Sequence, residues 1–87
     1  ATKNSEIAAV WFERAIENNY REAFPEMEKF LVKVGRRKFL KPLYSELAKT
    51  AEHKDWALRV YQQARPNYHA VSVHTIDEIL GYEKEVS

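Results

Sequence analysis

The 87-residue sequence contains no cysteine, two glycines and three prolines. Without cysteine there is neither a disulfide scaffold nor a thiolate zinc site, and nothing in the composition argues for secretion. With Gly35 and Gly81 as the only glycines, a phosphate loop of the GxGxxG or GxxxxGK[ST] kind is excluded. No apolar run approaches ~18 residues, so no membrane span is expected, and Lys3 and Glu6 within the first ten residues argue against a signal peptide. Catalytic patterns are missing as well. Ser5, Ser45, Ser72 and Ser87 lack the GxSxG elbow, and there is no HExxH. His53 lies in a polar stretch, and His69 and His74 are separated by ~140° if helical. The histidines are therefore expected to be exposed or hydrogen-bonded structural groups. No metal, no cofactor and no self-contained active site is expected in this chain.

What is present is an ordinary globular composition, 45% hydrophobic and 31% charged, sufficient for one small folded domain over residues 1–87. Fourteen basic against thirteen acidic residues give a net charge of +1, which by itself implies no partner. Its distribution is uneven. Residues 1–32 carry −2, residues 33–65 carry +6 and residues 66–87 carry −3.

The apolar periodicity is helical almost throughout. A helix capped by Asn4 or Ser5 presents Ile7, Val10/Trp11 and Ala15 beside Ala8, Phe12 and Ile16, and should end at Asn18-Asn19. A second carries Tyr20, Ala23/Phe24, Met27, Phe30/Leu31 and Val34; Pro25 is expected to kink it and Gly35 to stop it. A third, with Pro42 expected in its first turn, carries Phe39/Leu40, Leu43/Tyr44, Leu47/Ala48 and Ala51. After a polar break at residues 52–54, a fourth runs from about Asp55 to Ala64. A last one, with Val73, Ile76 and Ile79/Leu80, stops near Gly81. The expected fold is all-α: about five short helices stacked as antiparallel αα-hairpins, in the manner of an armadillo or HEAT solenoid fragment.

One segment breaks a local rule. Residues 33–42 hold Lys33, Arg36, Arg37, Lys38 and Lys41 with no acid, at the start of a helix, where acids are normally favoured. Helix-start N–H groups together with guanidinium and ammonium groups make an anion receptor. If residues 36–38 were extended, Arg36 and Lys38 would point the same way as a two-pronged clamp, with Arg37 opposite. Two other readings stand beside this one. The segment could be a solvated basic edge, as on a free-standing helical module that binds an acidic protein partner. It could also contact nucleic acid, against which the acidic flanks and the pI of 8.2 weigh.

The run Gly35-Arg36-Arg37-Lys38-Phe39-Leu40-Lys41-Pro42-Leu43-Tyr44 resembles the GRxKFxxPL motif of the leukotriene A(4) hydrolase and aminopeptidase B family of zinc aminopeptidases. Asn4-Ser5-Glu6-Ile7 with Trp11, Tyr20-Arg21-Glu22-Ala23-Phe24-Pro25, Asp55-Trp56-Ala57, Tyr61-Gln62 and Tyr68-His69 extend the resemblance in order along the chain. The resemblance implies an all-helical C-terminal domain, silent alone, packed on the catalytic domain of the same polypeptide, where zinc would be bound. It further implies that Arg36 binds the carboxylate of a peptide substrate and that Lys38 assists, with Arg37 and Lys41 as flanking contacts. The expected partners are thus that catalytic domain and a peptide, without nucleic acid or membrane, and the expected location is cytoplasmic.

Overall fold

A computed structural model describes residues 5–82, and these form five α-helices without strands. The first, α1 (Ser5–Glu17), begins where the cap was expected, with Asn4 outside the described residues. Its end follows from the Asn pair. Asn19 takes the left-handed conformation (φ 55°), and the N–H groups of Asn19 and Tyr20 return to the carbonyls of Ile16 (3.0 Å) and Ala15 (2.8 Å). Asn18 adds a side-chain bond to the Arg14 carbonyl at 2.9 Å.

The second helix differs from expectation at both ends. A single 3₁₀ turn over Arg21–Ala23 precedes α2 (Phe24–Lys33), so Pro25 falls at the helix start, where its missing N–H breaks no bond. No kink is needed. The helix is stopped by Val34, which turns extended (ψ 116°), rather than by Gly35, which has an ordinary negative φ.

Pro42 moves the other way. The third helix, α3 (Arg37–Leu47), starts early enough to place Pro42 inside it, with no N–H to give to the Lys38 carbonyl. The fourth, α4 (Ala51–Ala64), absorbs residues 52–54, which were expected to be a break. The reason is His53: it is buried against Phe24 (ring centroids 5.3 Å apart) and its Nε2 meets Asn19 Oδ1 at 2.9 Å. A second 3₁₀ turn, Arg65–Asn67, leads to α5 (Ala70–Leu80), closed by Gly81 in the left-handed conformation (φ 63°).

The most extensive helix contacts join alternate helices, α1 with α3, α3 with α5, and α2 with α4, while α3 also meets α4. The chain is therefore folded in two layers, α1–α3–α5 over α2–α4, measuring 42 × 27 × 17 Å. Between them lie Met27, Leu31, Leu40, Leu43, Tyr44, Leu47, Ala57, Tyr61, Ala64 and Ile76, all fully buried. α3, central in its layer, is sealed on three sides, and this fixes where its basic first turn emerges. No helix among the described residues is long and apolar enough to cross a membrane.

Candidate anion-binding site

Two helix N-termini open onto one groove. The first turn of α3 supplies Arg36, Arg37 and Lys38, with Lys41 and Pro42 a turn further on, and the first turn of α5 supplies His69, Val71 and Ser72, with Thr75 below. Lys33 and Gly35 complete the rim of this open space of about 1160 Å³, and no Asp or Glu among the described residues lines it. Because α3 and α5 belong to one layer and both start here, the positive ends of two helix dipoles face the same space. Neither helix has a side-chain cap on its first N–H groups.

Three carbonyl groups nearby are occupied by donors from within the fold. The Phe30 carbonyl accepts from Val34 N–H (2.8 Å), the Leu31 carbonyl from the Tyr68 hydroxyl (2.5 Å), and the Gly35 carbonyl from Ser72 Oγ (3.4 Å). The Tyr44 hydroxyl in turn donates to Tyr68 at 3.2 Å. These three carbonyls are thus engaged within the fold, and the charged side chains that line the groove are all cations.

All five basic residues singled out in the sequence, Lys33, Arg36, Arg37, Lys38 and Lys41, line this groove. Their backbone is not the continuous extended strand of the clamp argument. Arg36 is extended (φ −85°, ψ 125°), but Arg37 and Lys38 are already helical. Successive helical residues diverge by ~100°. Accordingly Arg37 reaches Thr75 of α5 (Nη1 to Oγ1, 3.5 Å) and Lys38 reaches Glu6 of α1 (Nζ to Oε2, 3.1 Å). Arg36 and Lys41 are exposed, and their side chains have no hydrogen-bond or ion-pair partner among the described residues. Arg36 is the basic group of the first turn that is free to receive an anion.

Sequence reasoning missed the far wall, Ser72, Thr75 and His69, and missed Glu6 as a partner of Lys38. Ser72 and Thr75 lie three apart on α5, and Ser72, at i−4 and i−7 from Ile76 and Ile79, is a buried polar residue within the apolar stripe. That spacing was the available signal. Glu6 carried none, since an acid in a first turn is ordinary.

Zinc is the metal the resemblance implies. Among the described residues, one group of three ligating side chains comes together, Glu13, Glu17 and Glu46, with oxygens within 4.8 Å of one another. It is an all-carboxylate set at the surface, and Lys49 already pairs with Glu46 at 2.9 Å. Zinc favours nitrogen and sulfur donors, so this set does not fit it.

Comparison with known proteins decides the family. The profile described as leukotriene A4 hydrolase, C-terminal, matches residues 1–80. The chain belongs to this family. Among similar curated proteins, the leucine aminopeptidase 2 of Neurospora crassa is 29% identical over 80 residues, covering 92% of this chain and 12% of its own length. That of Chaetomium globosum is also 29% identical over 80 residues, with 92% and 13% covered. That of Neosartorya fischeri is 27% identical over 85 residues, with 98% and 14% covered. The chain thus spans 12–14% of the length of these relatives. The match to the leukotriene A4 hydrolase C-terminal family includes every residue of the groove, from Val32 to Thr75.

Proposed function

We propose that this chain is the C-terminal helical domain of a cytoplasmic zinc aminopeptidase, and that its groove holds the carboxylate of the peptide substrate. The observation that carries this reading is Arg36: an exposed, unpartnered guanidinium at the point where the starts of α3 and α5 converge. A guanidinium binds a carboxylate through two parallel hydrogen bonds, and the first N–H groups of the two helices add positive potential without reorganisation. Lys38 contributes a second, mobile charge, while Arg37 and Lys41 form the flanks. Fixing the carboxylate positions a short peptide so that its scissile bond meets the catalytic centre, which the proposal places with its zinc in the catalytic domain. By itself the domain binds and orients.

The test is Arg36→Ala in the full-length aminopeptidase. Cleavage of a short peptide should lose about 2–4 kcal/mol in kcat/KM, with the fold intact by circular dichroism. Unchanged kinetics in a folded variant would remove Arg36 from the site.

A second reading, a helical interaction module with a basic edge, is favoured by one observation. Ile7, Val10 and Trp11 lie exposed together on α1, at 68%, 53% and 50%. In the aminopeptidase reading this is a face for the catalytic domain; in the rival reading it meets a separate protein. A parent gene product near 87 residues, with no HExxH, would decide for the rival.

A further inference from the structure

We propose that Glu6 is an internal competitor for the substrate carboxylate, engaging the Lys38 ammonium until a carboxylate gripped by Arg36 displaces it. The proposal rests on the carboxylate-binding reading above and adds a residue to it.

Three observations lead there. Lys38 lines the groove, but its ammonium is 3.1 Å from Glu6 Oε2, and Glu6 is not a groove residue. Glu6 belongs instead to the hollow on α1 formed with Ile7, Val10, Trp11 and Arg14. The ammonium is therefore engaged across the layer, from α3 to α1. Next, Glu6 presents to Lys38 the same chemical group that a substrate would. A peptide carboxylate and the Glu6 carboxylate are alternative partners for one cation. Finally, in this domain by itself the pair is open to solvent, with the two side chains 59% and 70% exposed, so it holds Lys38 only weakly. A flexible four-carbon stem allows Lys38 to exchange between the two without movement of the backbone.

The arrangement favours one kind of ligand. An anion that can use only Lys38 must beat Glu6 on equal terms. A planar carboxylate bound bidentately by Arg36 is already fixed beside Lys38 and competes from close range. Glu6 thus acts as a filter against anions that Arg36 does not hold, at some loss of affinity for the correct one.

The experiment uses the full-length aminopeptidase and two peptides of identical sequence, one with a free C-terminal carboxylate and one amidated. In Glu6→Gln, KM for the free acid should fall about 2–5-fold with kcat unchanged, the range an exposed ion pair allows. The amidated peptide should show no change, and in a Lys38→Met background Glu6→Gln should have no effect. Glu6→Asp, which keeps the charge on a shorter stem, should lie between wild type and Glu6→Gln. An unchanged or raised KM for the free acid would overturn the proposal, as would an equal fall for both peptides. Arg36→Ala separates the two levels. If it raises KM for the free acid while Glu6→Gln does nothing, the filter fails and the site stands. If Arg36→Ala leaves the free acid unaffected, the carboxylate site itself fails.

Discussion

Tyr68 connects the core to the groove through one hydroxyl. It donates to the Leu31 carbonyl at 2.5 Å and accepts from Tyr44 at 3.2 Å, and it is buried. Tyr68→Phe would leave a carbonyl and a hydroxyl without their partner, and the domain should lose about 1–3 kcal/mol, read from urea unfolding. The same burial pushes the Tyr68 hydroxyl up from the usual 10.0 to about 12, its bond from Tyr44 acting the other way. The proton is held more tightly in the folded state. The stability this contributes is therefore complete below pH 10 and declines as the pH rises toward 12. Between those values the wild type should lose stability more steeply than Tyr68→Phe in pH-dependent urea titrations; parallel curves would contradict the assignment. Arg65 is a structural counterpart. It grips Asp77 through Nε (3.2 Å) and Nη2 (3.0 Å) and stacks on Tyr82 with its guanidinium carbon 5.0 Å from the ring centre. At this scale the sequence picked out Arg36 by residue type and position, and the structure leaves its side chain exposed on the groove. The contact of Lys38 with Glu6 was not legible, because which helix a long side chain reaches depends on what packs beside it.

Each helix boundary is set by a few backbone choices, and here the sequence could mislead in both directions. Asn19 and Gly81 were readable because a left-handed residue favours these types, and both take that conformation. Gly35 invited the same reading, yet Val34 ends α2 and a methyl group at Gly35 would meet only Tyr68 Cδ1 at 3.9 Å. The two glycines should therefore respond differently to alanine. Gly81→Ala forces a side chain into the left-handed region and should cost about 1 kcal/mol. Gly35→Ala should be neutral or stabilising by up to about 1 kcal/mol, because it restricts only the unfolded chain. Thermal unfolding of the two variants side by side distinguishes them, and equal losses would contradict the account. The polar run at residues 52–54 misled for another reason. His53 reads as a loop residue until its partners Asn19 and Phe24, distant in sequence, are brought against it.

At the scale of the molecule, the all-α class and the existence of five helices follow from apolar periodicity, since each stripe is long and cleanly spaced. The layering does not follow from it. Short connections suggest that neighbours pack in pairs, whereas the most extensive contacts join every second helix and leave α3 between α1 and α5. That layering gives the charge pattern its meaning. A +6 middle third distributed over a surface implies little, but α3 and α5 beginning at one groove gather five of its cations around two helix starts. The most direct measurement is a crystal structure of the full-length protein with a short, non-hydrolysable peptide bound. The account predicts the terminal carboxylate within about 3 Å of the Arg36 guanidinium, in bidentate geometry, with Lys38 turned from Glu6 toward it. A carboxylate bound elsewhere, with Arg36 left in solvent, would contradict it.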